Sequence, residues 1–209
     1  MKTQNNYQTP EEKSYSSEAF AANLLSCEFK KAFEHVFTIQ GAIFKPNDGL
    51  MPSSTEADTI IICEGGIFVF EVKSWDGFIH QEQSTFFVTQ PGKPAKHRDN
   101  PIHQNTRKCR YLKALVPGIN VQNRVLITGE NAVLDYKLPP LLMTRQDIPH
   151  CVRTDSYLAR HKLNLIPPDE VKRIYQVIAG AISEANVTKE EHIANCQFHH
   201  KGELALQAA

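Results

Sequence analysis

Hydrophobic and polar residues alternate along this chain with two different periods, and each change of period marks a new element. Large apolar residues at helical spacing predict a helix over 18–33, and Ser16 and Ser17 are expected to cap its start. Prolines at the start of two further apolar patterns predict helices over 101–116 and 167–186. Period-two alternation predicts strands at 36–44, 56–64, 67–73, 77–83, 85–90 and 123–129.

Gly65 and Gly66 separate two of these strands and predict an antiparallel hairpin. If the chain turns at the glycine pair, residues whose numbers sum to about 131 lie opposite each other. This register places Lys73 near Asp58 and Glu71 near Ile60. Because side chains alternate between the faces of a strand, all three point to the same face at one end of the sheet.

The order of the elements predicts one α/β domain, with a central mixed sheet flanked by helices. We assign this domain to residues 17–186, with a polar segment over 1–16 before it. The periodic pattern weakens after residue 186, so 187–209 is expected to be a flexible tail. The segment 138–152 is expected to contribute a closing strand and a loop.

Composition excludes several classes of protein. The 209 residues are 41% hydrophobic and 22% charged, which is typical of a globular protein. No stretch approaches the ~20 apolar residues of a membrane span, and the polar first residues do not form a signal peptide. We therefore predict a cytoplasmic protein that does not contact membranes. The formal net charge of 0 is not that of a protein that coats nucleic acid.

The five cysteines are odd in number and scattered, which favours reduced thiols over a disulfide framework. Cys196 lies near His199 and His200, but a second pair of ligands at zinc-site spacing is missing. A zinc site is therefore only a minor alternative.

The charged residues of the hairpin have a chemical use. Two neighbouring carboxylates repel each other unless a cation lies between them, and a divalent metal is the obvious candidate. We predict that Asp58 and Glu71, together with the carbonyl of Val72, bind Mg²⁺. Lys73 would then hold the attacking water and offset charge on a phosphate in the transition state. The alternative is an ordinary solvent-facing ion pair between strands.

Two stretches, "EADTIIICEGGIFVFEVKSWDG" and "NPIHQNTRKCRYL", resemble the nuclease-related domain, a branch of the PD-(D/E)XK phosphodiesterase superfamily. The resemblance runs from about Glu18 to Thr128. It is specific because of its order: a helical Glu, a strand Asp, a glycine turn, E-x-K, and N-P-x-x-Q opening a helix. Ala57 departs from the pattern, since it stands where the superfamily name has proline.

The resemblance implies a restriction-endonuclease-like core and a nuclease that depends on Mg²⁺ or Mn²⁺, with DNA favoured over RNA. It assigns Asp58, Glu71 and Lys73 to the catalytic core. Glu18 corresponds to an auxiliary acid on the first helix. Gln104 corresponds to a polar residue that orients the lysine, water or phosphate.

Two basic stretches, 93–98 and 107–113, would by themselves be two solvated surfaces. Beside a nuclease cleft we expect them to bind backbone phosphates. The residues assigned to this role are Lys93, Lys96, Arg98, Arg107, Lys108 and Arg110. Gln104 and Lys108 share one helical face, which is expected to look into the cleft. Trp75 is expected to pack in the core rather than to stack on a base.

Two other functions fit the same sequence. The fold can serve as a nucleic-acid-binding or scaffolding module without turnover, which would bind equally well with and without metal. Alternatively, the charged constellation is coincidental and the chain is an ordinary α/β interaction domain, which would have no affinity for metal.

Overall fold

A computed structural model describes residues 10–46, 48–49 and 52–207, which form helices and two β-sheets. The elements, in chain order, are α1 (Pro10–Ala32), β1 (Val36–Phe44), β2 (Thr55–Cys63), β3 (Gly66–Lys73), β4 (Phe78–Glu82), β5 (Thr85–Gln90), β6 (Lys93–Arg98), α2 (Pro101–Leu115), β7 (Val121–Ile127), β8 (Val133–Leu134), β9 (Leu142–Thr144), α3 (Ile148–His161), α4 (Pro168–Ala185) and α5 (Lys189–Gln207).

The main sheet has five strands in the order β1-β2-β3-β7-β9. The pairs β1–β2 and β2–β3 are antiparallel, whereas β3–β7 and β7–β9 are parallel. The predicted α/β fold with a mixed sheet is therefore confirmed. A second sheet of four strands, in the order β6-β5-β4-β8, follows the end of β3 in the chain. Its strand β6 was not predicted.

The two faces of the main sheet bury separate apolar clusters. On one face, Phe68 and Phe70 pack against Phe29 of α1, with ring centroids 4.8 and 6.2 Å from it. On the other face, Ile60 and Val69 lie in a cluster with residues of α2 and α4. Because side chains alternate along a strand, Asp58 and Glu71 fall on the second face, beneath α2.

The β2–β3 hairpin has a different register from the predicted one. Cys63 pairs with Gly66, and Thr59 pairs with Phe70, so the chain turns at Glu64 and Gly65. The paired numbers sum to 129 (63 + 66 and 59 + 70), and the predicted sum of about 131 was wrong by two. A shift of two residues leaves every side chain on its predicted face.

Gly66 explains why the turn lies one residue earlier than expected. Its φ is +121°, and a Cβ at this position would lie 2.5 Å from the carbonyl oxygen of Asn120. That same oxygen accepts a hydrogen bond from the N–H of Ile67 at 2.9 Å. Gly66 is therefore required inside β3, where the segment leading into β7 approaches it closely.

Several predicted boundaries were wrong. Ser16 and Ser17 lie inside α1, which begins at Pro10, so they do not cap it. The segment 187–209 was predicted as a tail but contains α5. The segment 138–152 contains the predicted closing strand, which is β9 at the edge of the main sheet, but it then runs into α3, which was not predicted. Residues 1–9 of the predicted polar segment lie outside the described residues.

Two predictions from composition can be compared with the structure. All five cysteines are free thiols, as predicted. Within the described ranges, none of the helices combines the length and the apolar character that crossing a membrane requires.

We predict that Gly66→Ala lowers the free energy of unfolding by about 2–4 kcal/mol, because backbone strain and the overlap with Asn120 act together. Gly92→Ala is the matched control, since Gly92 also has a positive φ but nothing lies within 4 Å of its added Cβ. The control substitution should lower the free energy of unfolding by about 1 kcal/mol. Urea unfolding of both variants measures the difference, and equal losses would contradict the role assigned to Asn120.

Candidate active site

The candidate site lies where β2 and β3 part. The ladder between them stops at the pair Thr59 and Phe70, and its continuation would place Asp58 level with Glu71. Instead of a backbone carbonyl, Oδ2 of Asp58 accepts the hydrogen bond of the Val72 N–H, at 2.7 Å. This bond fixes the Asp58 carboxylate beside the C-terminal end of β3.

The backbone of β3 directs the Val72 carbonyl toward the Asp58 side of the strand. The N–H and C=O of one strand residue point toward the same neighbouring strand. Since the N–H of Val72 points to Asp58, its carbonyl is directed to that side too. The next carbonyl, that of Lys73, points the other way and accepts from the N–H of Thr128 at 2.9 Å.

Two lysines neutralise Glu71. Nζ of Lys73 lies 2.7 Å from Oε1 of Glu71. Nζ of Lys108, from α2, contacts Oε2 of Glu71 and lies 3.9 Å from Oδ1 of Asp58. Both carboxylates therefore face one ammonium on the same side of the sheet. The Lys108 side chain is only 7% exposed and pairs with these carboxylates, and its role in binding nucleic-acid phosphates stays a prediction.

Burial and charge set the protonation of this cluster. Burial, and after it the negative charge of Glu71, raises the pKa of Asp58 to about 7. Burial would also raise the pKa of Glu71, but Lys108 and Lys73 outweigh it and hold that pKa below its usual value. Burial would lower the pKa of Lys108, yet Glu71 and Asp58 together raise it. Glu71 and Lys108 are therefore a carboxylate and an ammonium at neutral pH.

The oxygen donors at this site suit Mg²⁺ or Mn²⁺, because such ions take few protein carboxylates and complete their shell with water or substrate oxygen. Among the described residues, no group of three or more His, Cys, Asp and Glu is placed to hold a metal. The residues that could hold such an ion are the predicted ones, Asp58, Glu71 and the Val72 carbonyl. Lys108 lies between the two carboxylates, where an ion shared by both would also lie.

The two predicted auxiliary residues differ in their placement. Ser17 on α1 lies 2.6 Å, hydroxyl to hydroxyl, from Thr128, which also bonds the Lys73 carbonyl. Glu18 follows Ser17 and is half-buried, so α1 brings its backbone to the same end of the sheet. Gln104 is exposed on α2, one turn before Lys108. The shared helical face thus directs Lys108, but not Gln104, into the acidic pair.

Sequence reasoning missed Asn105, which is fully buried. Its side-chain nitrogen lies 2.7 Å from the carbonyl oxygen of Val69 and 3.1 Å from that of Arg124. It also lies 2.9 Å from Oδ1 of Asn123. These bonds tie α2 to β3 and β7 and thereby position Lys108. The available signal was a polar residue at helical spacing within the apolar stripe of α2.

The basic residues of 107–113 are divided between the interior and the surface. The guanidinium of Arg107 donates two bonds to the Asp48 carboxylate and one to the Pro52 carbonyl, all at 2.8 Å. Arg107 thus binds Asp48 and Pro52 of its own chain, and its phosphate contact stays a prediction. Arg110 is exposed on α2.

The basic stretch 93–98 borders a cavity close to Lys73. All six residues of β6 are exposed, including Lys93, Lys96 and Arg98. These three residues line a cavity of about 140 Å³ together with Ser74 and Trp75, which follow Lys73 in the chain. The Trp75 ring also packs against the core, with its centroid 6.1 Å from that of Phe86.

Comparison with known proteins gives one family and one relative. The family model described as "Nuclease-related domain" matches residues 13–128. A protein named "Probable kinase PglW", from Streptomyces coelicolor, is 33% identical over 145 residues, which cover 65% of this chain. The matched region is 9% of that protein's length. No solved structure matches significantly.

We predict that Asn105→Ala lowers the free energy of unfolding by about 2–3 kcal/mol, because two buried carbonyls lose their donor. The adjacent Gln104→Ala is the matched control and should change it by less than about 0.5 kcal/mol, since that side chain is exposed. Chemical denaturation of both variants gives the comparison. A similar loss in both would mean that Asn105 does not anchor α2.

Proposed function

This chain belongs to the nuclease-related domain family, and from that premise we propose that it is a metal-dependent phosphodiesterase that hydrolyses nucleic acid, with DNA as the favoured substrate. The observation that carries the proposal is the convergence of Asp58, Glu71 and Lys73 at one end of the sheet, on one face. A buried and a largely buried carboxylate beside a partly exposed ammonium are groups that suit metal-assisted phosphodiester hydrolysis.

A divalent ion held by Asp58, Glu71 and the Val72 carbonyl would act as a Lewis acid and lower the pKa of bound water. Lys73 is the lysine suited to meet the substrate, because its side chain is 24% exposed whereas that of Lys108 is 7% exposed. Its ammonium would hold the attacking water and offset the charge that develops on the phosphate.

The auxiliary roles remain predictions. Glu18 is proposed to act as a further acid through water, from the end of α1 that approaches the sheet. Gln104 is proposed to orient water or phosphate from the exposed surface of α2, since its side chain is free to face a bound strand rather than the acidic pair.

The cavity beside Lys73 supports nucleic acid as the substrate. Lys93, Lys96 and Arg98 border it against one acidic residue, Asp76, so the lining offers a net positive charge to backbone phosphates next to the end of β3. The chain carries no net charge, and this local concentration of cations is therefore what would attract a polyanion.

One observation favours the second candidate function, a nucleic-acid-binding module without turnover. Glu71 already pairs with the ammonium groups of Lys73 and Lys108, and the raised pKa of Asp58, about 7, leaves that carboxyl partly protonated near neutral pH, so the negative charge of the site is compensated without a metal. A module of this kind would bind nucleic acid equally well in EDTA and in Mg²⁺.

We predict metal-dependent cleavage that Glu71→Ala and Lys73→Met affect differently. Glu71→Ala removes a charged oxygen ligand and should abolish metal binding and cleavage together. Lys73→Met keeps the apolar stem and should slow single-turnover cleavage by about a hundred- to a thousandfold while metal binding persists. The assay uses plasmid, linear duplex, single strands and RNA, with Mg²⁺, Mn²⁺ or EDTA.

Calorimetry of the same two variants with Mg²⁺ separates the roles. Equal and modest losses in both variants would identify the pair as a structural salt bridge. Wild-type protein that binds nucleic acid identically in EDTA and Mg²⁺, without cleavage, would support the non-catalytic module instead.

We predict that Lys96→Ala and Arg98→Ala each weaken nucleic-acid binding, and that each lowers the slope of log K against log salt by roughly 0.9 for duplex DNA, because one phosphate contact is lost. Lys172→Ala, an exposed lysine of α4, is the control and should leave the slope unchanged. Fluorescence anisotropy at several salt concentrations measures the binding constant of each variant and hence the slope. Unchanged slopes in all three variants would exclude the β6 cavity as the phosphate path.

A further inference from the structure

We propose that Lys108 is a built-in counter-ion that competes with the divalent metal, so that metal binding displaces its ammonium from between Asp58 and Glu71. This inference rests on the proposed function, because it takes these two carboxylates to be the metal ligands. It assigns Lys108 the part of a positioning residue that sets metal affinity, distinct from the substrate-facing part of Lys73.

The placement of Lys108 is the first argument. Its ammonium contacts Oε2 of Glu71 and lies 3.9 Å from Oδ1 of Asp58, so a single positive charge serves both carboxylates. A Mg²⁺ ion shared by the same oxygens would sit about 2.0–2.1 Å from them. The Lys108 ammonium and the metal ion would repel each other strongly in so small a volume. The two cations therefore cannot occupy it at the same time.

The division of work between the two lysines is the second argument. Lys73 bonds Oε1 of Glu71 and lies at the more exposed edge. Lys108 is the lysine within 4.0 Å of Asp58 among the described ion pairs. Without a metal, removal of Lys108 would leave Glu71 with the single ammonium of Lys73 and would remove the ion pair of Asp58, and loss of one partner of a buried ion pair is destabilising.

The surroundings of Lys108 offer the displaced ammonium another acceptor. Glu56 lies two residues before Asp58 on β2 and therefore on the same face of the strand. Its carboxylate already contacts Lys189 and lies 3.9 Å from Nε2 of His192, both on α5. The four-carbon stem of a lysine is flexible enough to move its charge while the helix stays in place, and Asn105 holds α2 one turn away.

The test compares wild-type protein with Lys108→Met, which keeps the apolar stem and removes the charge. Calorimetry should show Mn²⁺ binding about tenfold tighter or more in the variant. Its melting temperature in EDTA should lie below that of wild type. Saturating Mn²⁺ should raise the melting temperature of the variant by more than it raises that of wild type. Lys172→Met, the same change on the exposed surface of α4, should match wild type in both measurements.

A second measurement needs no variant and covers the case in which Lys108→Met fails to fold. Acylation of lysine side chains in wild-type protein, followed by peptide mass spectrometry, should label Lys108 faster when Mn²⁺ saturates the site. Lys172 is the internal reference and should label at the same rate with and without metal.

The outcomes separate this inference from the proposed function. Wild-type protein that binds Mn²⁺ and cleaves nucleic acid would support the proposed nuclease function. If Lys108→Met then binds Mn²⁺ no tighter than wild type, and metal does not change Lys108 labelling, the proposed displacement of Lys108 is wrong. If neither wild-type protein nor Lys108→Met binds metal, both proposals are overturned. If only Lys108→Met binds metal, the competition is supported and the wild-type chain is the non-catalytic module.

Discussion

The burial of two carboxylates at one end of a sheet is the constraint on which the rest of this structure depends. A carboxylate taken out of water loses several kcal/mol of solvation, and only nearby positive charge and hydrogen bonds offset that loss. Glu71 obtains one ammonium from its own strand and one from α2. The position of α2 is therefore an electrostatic requirement as well as a packing one, and Asn105 secures it against β3 and β7.

The second requirement is an opening in the hydrogen-bonded ladder. β2 continues along β1 to Thr55, but its pairing with β3 ends at Thr59. In the space beyond that pair the Asp58 side chain replaces a backbone acceptor, which is why a carboxylate can lie there without disrupting the sheet. Lys73 and Ile127 end the parallel strands β3 and β7 beside this opening, the edge at which open α/β sheets commonly bind ligands.

Local periodicity was enough to predict the main strands, α2, α4 and the shared face of Asp58, Glu71 and Lys73. That face was correct although the register was wrong, because a two-residue shift does not change side-chain direction. The burial of Lys108 could not be predicted, since it depends on how α2 lies over a strand 37 residues earlier in the chain. Strand β6 was missed for a related reason: all of its residues are exposed, so it lacks the alternation that marks a half-buried strand.

Three of the four strands of the second sheet, β4 to β6, are inserted in the chain between β3, which carries Glu71 and Lys73, and α2, which carries Lys108. Because the acidic pair and its lysines belong to the main sheet and α2, the hairpins of the insertion can lengthen, shorten or change composition while the charged cluster stays intact. The architecture thus separates two tasks. One part of the chain holds the charged cluster, and a neighbouring part, β4 to β6, can change what it presents beside that cluster without altering it.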